Sequence, residues 1–469
     1  MTSKITITVK CPECGAPIRH PEGVYTFKCT FCASVLRTET GDTSLKYIIP
    51  SRIKEEELPV LIQKELHAKI QPSIELIHTV YKPFWYFKGM IYSCFIARGN
   101  NEINAKTYYY TFQADPDYLS SLYSLGLRAE VLDLEPYDSE FYKDNGILLP
   151  IILDKNDAQE KAMKIAGKAI KFANKKLQIA AAQALYNTTE FIGERFFIIY
   201  YPIVNVYCTC GGYFTFMIDG VNGNLLEKKK ETHIPSPPAK DESPPYHIRI
   251  LTHRCKNCGY DLQPKDFDIV FFCTTCSMLW LLEGNDYYPL EIKVIETDRE
   301  QNIVYLPFWK FEATFVSKSA TISIKTVGDL SGFIKMGQFF LRNQEHSRNA
   351  TYYIPAIVAR NAKAVIKLAS RISRSQNVYP VSSSIEKFHK VKILNASLPE
   401  SEAEEMLRVL IFSLIGRQDA RAINFYSDYT TEVHSTELIW YPFEEKRNML
   451  VDKYHNYSFP AQSMDLDVF

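Results

Sequence analysis

Apolar residues recur along this chain with two periods, and the change from one to the other marks out its elements. Ile5, Ile7 and Val9 alternate with polar residues up to Cys11, a period of two that predicts a strand. Residues 269–272 run apolar into Cys273, and further strand-like runs lie at 91–97, 203–216 and 313–322. Helical spacing predicts helices over 54–66, 118–127, 158–172, 362–372 and 401–415. The last of these opens with Ser401-Glu402-Ala403-Glu404, a capping-box pattern. Asp219-Gly220 and Asn222-Gly223 are hairpin signals behind the run 214–218.

The pattern repeats. Cys11, Cys14, Cys29 and Cys32 recur as Cys255, Cys258, Cys273 and Cys276, each 244 positions further on. Lys82-Pro83-Phe84-Trp85-Tyr86-Phe87 recurs as Leu306-Pro307-Phe308-Trp309-Lys310-Phe311, now 224 positions on. The second copy has therefore lost about 20 residues, corresponding to the helical stretch 54–66. Ile199-Tyr200-Tyr201-Pro202 matches Ile439-Trp440-Tyr441-Pro442 at an offset of 240, and Tyr110-Thr111-Phe112 can be laid on Tyr353-Ile354-Pro355. If the copies are duplicates, Trp85 falls over Trp309 and Tyr201 over Tyr441, with both tryptophans buried at strand starts. Between the copies, the proline-rich stretch 235–245 reads as an extended spacer.

A CxxC turn aims two sulfurs at one point, and two such turns make a tetrahedral four-thiolate pocket suited to Zn²⁺. Gly15 and Gly259 follow the leading pairs, where positive φ turns backbone N–H groups toward the thiolates. Both quartets resemble the zinc-ribbon family, in which two β-hairpin turns clamp one zinc. The order of ribbon, Pro-Phe-Trp strand, then helices and strands looks like prokaryotic zinc-ribbon proteins that carry no assigned activity. The resemblance covers about 40 residues in each copy. It implies two structural Zn²⁺ per chain, held by Cys11, Cys14, Cys29 and Cys32 and by Cys255, Cys258, Cys273 and Cys276. An iron site uses the same four thiolates and stays open as an alternative. His253, two residues before Cys255, could stand in for a cysteine, but four are already supplied. Cys94, Cys208 and Cys210 read as reduced strand cysteines.

The expected fold class is α+β, in two tandem copies of a small four-cysteine zinc ribbon followed by an α+β domain with a mainly antiparallel sheet. Its units are ribbon 1 (1–45), α+β domain 1 (46–229), linker (230–246), ribbon 2 (247–284) and α+β domain 2 (285–469). Each ribbon is expected to fold independently of the other. The C-terminal stretch 463–469 alternates acidic and apolar residues, either as a strand of its own sheet or as a docking tail.

Charge narrows the function. The chain has 469 residues, with Lys+Arg and Asp+Glu at 54 each. Residues 1–40 carry five basic and three acidic groups, residues 247–284 four of each, and a four-thiolate Zn²⁺ centre adds a formal −2 to each. Proteins that track phosphate backbones need more positive charge than this. No phosphate-cradling loop, nucleophile elbow or HExxH stands in the sequence, and the ten histidines are scattered. No apolar run reaches membrane-span length and no signal core opens the chain. The expectation is a cytoplasmic, non-enzymatic zinc-binding scaffold or adaptor with an unidentified protein partner. The alternative is a nucleic-acid-binding regulatory protein using its ribbons.

Overall fold

A computed structural model describes residues 6–21, 26–38, 45–66, 72–97, 100–122, 125, 133–137, 146–173, 186–236, 238, 249–263, 268–297, 302–334, 346–358, 361–383, 392–415, 420–452, 454–455 and 457–461. The architecture is mixed α/β, dominated by strands in mainly antiparallel sheets. The tail 463–469 and most of the spacer 235–245 lie outside the described residues.

Each half is built around one antiparallel pair of long strands. In the first half Ser73–Ala97 pairs with Tyr186–Thr209, and in the second Ile303–Ser317 pairs with Thr430–Lys446. Trp85 lies opposite Ile198, and Trp309 opposite Leu438; Phe84 lies opposite Ile199, and Phe308 opposite Ile439. The registers therefore match at the offsets 224 and 240 seen in the sequence. Neighbouring strands match too. Ile147–Leu148 runs parallel to the first pair at Val80 and Tyr81, as Lys392–Ile393 does at Val304 and Tyr305. Side-chain bonds repeat as well: Trp85 Nε1 donates to Leu153 O at 2.8 Å, and Trp309 Nε1 to Leu398 O at 2.8 Å. Each of these carbonyls leads into a helix, Lys155–Ala173 or Glu400–Ile415. A register slip of one residue would reverse every face, so agreement at this many positions shows that the two halves share one strand register.

The structure corrects several expectations. The Pro-Phe-Trp motif lies in the middle of its strand, not at the start. A central strand accepts proline here because Pro83 faces a gap between two partners: one pairing ends at Phe84–Gln113 and the other begins at Tyr81–Leu148. The Pro83 carbonyl still accepts the Ala114 N–H at 2.9 Å, and Pro307 takes the Ala356 N–H at 2.8 Å. Phe112 pairs with Trp85 and Ile354 with Trp309, so Phe112 matches Ile354; laying it on Pro355 was one residue out. Of the helix expected over 118–127, the described part is a turn in which Asp115 Oδ1 takes the N–H groups of Asp117 and Tyr118. A short side chain that satisfies the backbone locally competes with helix. The apolar run 313–322 is broken by a turn at 318–321, with Thr321 at φ 53°.

The halves also differ. Lys82 is fully buried and donates to the Asp115 carbonyl at 2.5 Å, where the second copy has Leu306. Burial pulls its pKa down to about 8 against the pull of Asp115 and Asp117. In addition, the first half extends an arm over the second. Tyr92, Cys94, Ile96 and Ile192 belong to the same hydrophobic cluster as the second half's core. Arg195 meets Glu402 at 2.6 Å, Arg408 meets Glu190 at 3.5 Å, and Tyr186 OH donates to Tyr426 O at 2.8 Å. Helix Glu400–Ile415 is consequently apolar around much of its circumference, being covered on two sides.

Candidate metal centres

All eight predicted ligands converge, in the two expected groups, with each group's sulfurs within 4.8 Å of one another. Cys11 and Cys14 lie in the turn between strands Thr6–Lys10 and Pro17–Pro21; Cys29 and Cys32 lie between Thr26–Lys28 and Val35–Thr38. In the second cluster Cys273 and Cys276 lie between Val270–Phe272 and Leu279–Glu283, while Cys255 and Cys258 lie inside the bridge Arg254–Asp261.

The four turns share one backbone geometry. The first cysteine's N–H donates to the carbonyl five residues on (Ala16, Ser34, Tyr260 or Met278) at 2.8–2.9 Å, and its own carbonyl takes the N–H four residues on at 2.8–3.0 Å. That fourth residue has positive φ in every case: Gly15 72°, Ala33 62°, Gly259 76° and Ser277 58°. Ala33 and Ser277 adopt without glycine a conformation that costs an L-residue about 1 kcal/mol. Within each turn the leading cysteine is buried and the following one more accessible, so each cluster has one face toward the core and one toward solvent.

Sulfur spacings test the fit. Cys11–Cys32 and Cys14–Cys29 are 3.7 and 3.8 Å apart, and Cys255–Cys276 and Cys258–Cys273 are 3.6 and 3.5 Å apart. A tetrahedron with metal–sulfur bonds of about 2.3 Å has edges of about 3.8 Å, while a disulfide is near 2 Å. The donor set thus suits a tetrahedral thiophilic ion such as Zn²⁺, and all eight cysteines are free thiols.

The surrounding groups divide the thiols. The Ser34 side chain and N–H hold Cys32 down to about 6, and the Asn257 side chain does the same for Cys276. The Ala16 N–H favours the Cys14 thiolate, yet desolvation and the neighbouring sulfurs push Cys14 up to about 12; Cys258 behaves likewise beside Tyr260. The environment thus favours the Cys32 and Cys276 thiolates and disfavours those of Cys14 and Cys258, and a bound dication would remove the repulsion that raises the latter two. Trp280 Nε1 donates to Cys255 Sγ at 3.2 Å. Ser34, Asn257 and Trp280 were not singled out from the sequence; nothing in their spacing sets them apart.

His253 does not join a cluster. Fully buried between Phe271, Tyr287 and Arg37, it has its pKa lowered to about 3 by burial and by the Arg37 charge. Cys94 and Cys208 are buried strand thiols, and Cys210 is partly exposed. The motif rings Phe84, Trp85, Phe308 and Trp309 are at most 4% exposed and belong to the cores, so they are not placed to stack on nucleic-acid bases. Among the described residues, no helix is long and apolar enough to cross a membrane.

Among known proteins, no family model, curated protein or solved structure matches this chain.

Proposed function

We propose that the chain is a non-enzymatic scaffold or adaptor, that both clusters are zinc ribbons, and that two Zn²⁺ ions hold them in shape. The observation that carries this reading is coordinative saturation: each cluster supplies four sulfurs at tetrahedral spacing, leaving no open position for substrate or water. Zinc bound there supplies folding free energy rather than Lewis acidity.

Rigid turns of this kind present side chains at fixed positions. Phe31, between Cys29 and Cys32, is 66% exposed, and Tyr260, two residues after Cys258, is 64% exposed. Exposed aromatic rings on metal-braced turns suit protein recognition, where such rings anchor interfaces. A cleft of about 420 Å³ between strand Leu279–Glu283 and helix Glu400–Ile415 adds a concave surface, lined among others by Trp309, Glu283, Glu400 and Glu404. Its acidic rim and the zero net charge both disfavour the nucleic-acid reading.

Two measurements test the proposal together. Elemental analysis of native protein is expected to give two zinc equivalents per chain. Affinity capture with mass spectrometry is expected to return a protein partner that Phe31→Ser plus Tyr260→Ser loses while keeping both zincs. Iron in place of zinc, or salt-resistant retention of nucleic acid without a protein partner, overturns it.

A further inference from the structure

The two clusters do not stand in separate modules. Strand Val35–Thr38, which begins just after Cys32, pairs antiparallel with strand Ile250–Thr252, which ends just before Cys255. The His253 N–H extends that ladder, donating to Val35 O at 2.8 Å. Arg254, adjacent to Cys255, reaches Glu13, which lies between Cys11 and Cys14, at 3.8 Å.

Arg37 crosses the same junction. It is 5% exposed, donates from Nη2 to Asn285 O at 2.6 Å, and lies 5.2 Å over the Tyr287 ring. Among the described residues its Nε and Nη1 have no hydrogen-bond partner and no carboxylate pairs with it. Tyr287 packs in one apolar cluster with Cys255 and Cys273, so Arg37 ties the first cluster's strand to the second cluster's core.

We infer that the two clusters load metal as a coupled pair, occupancy of either raising the affinity of the other, with the shared strand pair and Arg37 as the coupling elements. The inference rests on the reading of both clusters as zinc sites. Two effects give it its sign. First, a small metal module orders its strands at the expense of metal-binding free energy. Once one site is filled, Val35–Thr38 and Ile250–Thr252 are already paired, so filling the second orders fewer residues. Second, the Arg37 contacts to Asn285 and to the Tyr287 ring form only when both modules are ordered, so the first ion to bind preorganises them for the second. Such coupling is reciprocal by thermodynamic necessity, and about tenfold is within its ordinary range.

The test uses the full chain. Chelator competition gives the overall two-zinc stability constant of the wild type. It also gives the one-site constants of Cys11→Ser/Cys14→Ser and of Cys273→Ser/Cys276→Ser. The wild-type constant is expected to exceed the product of the one-site constants about tenfold; a ratio of one overturns the coupling. Should a double variant fail to fold, Arg37→Leu keeps all eight ligands. Its overall constant is expected to fall about tenfold, with chelator stripping the metals in two phases where the wild type shows one. An unchanged constant with single-phase release overturns the role of Arg37. Fewer than two zinc equivalents in the wild type would sink the zinc reading itself, whereas two equivalents with a ratio of one sink the coupling alone.

Discussion

Duplicated positions allow a stability argument with an internal control. Tyr201 and Tyr441 occupy matching sites and each donates its phenol proton to a buried aspartate, but the aspartates are not equally supplied. Tyr201 OH lies 2.8 and 2.9 Å from the two Asp219 oxygens. Oδ1 also takes the Val221 and Asn222 N–H groups, which leaves Oδ2 with the phenol alone. In the second copy Tyr441 OH lies 3.0 Å from Asp452 Oδ1, which also takes the Tyr454 N–H, while Oδ2 meets His455 Nδ1 at 2.5 Å. Tyr201→Phe therefore strands a buried carboxylate oxygen, and Tyr441→Phe does not. The expected costs are about 2–3 kcal/mol for the first and about 1 kcal/mol for the second. Hydrogen exchange read by mass spectrometry reports each site locally. Amides near Asp219 should exchange about 30-fold faster or more in Tyr201→Phe, and those near Asp452 about fivefold faster in Tyr441→Phe. Equal accelerations, or the reverse order, would refute the reasoning from unpartnered oxygens.

Three further outcomes are expected. Partial desolvation and the adjacent Glu402 carboxylate push Glu405 up to about 7, although its side chain stays in contact with solvent. Being raised above its unfolded value, this group contributes stability below about pH 4.5 that is lost as pH rises through about 7. Thermal melts should show Glu405→Gln with a flatter pH profile than wild type and a higher midpoint at pH 8. Ala33→Gly removes the strain of a φ of 62° and should raise the thermal midpoint of zinc-loaded protein by a few degrees; an unchanged or lower midpoint counts against strain at that turn. Ile192→Ala, at a site 4% exposed in the cluster shared by both halves, should cost about 2–4 kcal/mol by urea titration. A loss confined to the first half, read by proteolysis, would show that the arm does not brace the second.

The cysteine spacing made both metal centres legible, because the ligands of one centre lie within a few tens of residues and their turns are local. The likeness of the two halves was legible for a similar reason: Pro-Phe-Trp and the Tyr-Pro motif carry distinctive residues in a fixed order. The match of Tyr110 to Tyr353 slipped by one because a repeated tyrosine signals composition, not register; only the ladder pairing of Trp309 with Ile354 decides it. The junction between the clusters was not legible at all. Strand Ile250–Thr252 is three residues long and pairs with a segment more than two hundred positions away, so neither period nor motif marks it. The expectation of independently folding ribbons was drawn from the motifs alone and did not include this pairing. Ala33 and Ser277 were missed at their positive-φ positions because glycine is the only residue whose presence announces such a backbone.

The arm bearing Tyr92, Cys94, Ile96 and Ile192 has a consequence during synthesis. A ribosome completes it long before the surface it covers: helix Glu400–Ile415 emerges roughly 200 residues later, on the order of 10–40 s at ordinary elongation rates. Throughout that interval the nascent first half carries an apolar flank on a long ribbon of strands, a surface prone to pairing with other nascent chains. Recruitment of a chaperone to the growing polypeptide should accordingly peak while residues beyond 200 are being added and decline once the second half has emerged.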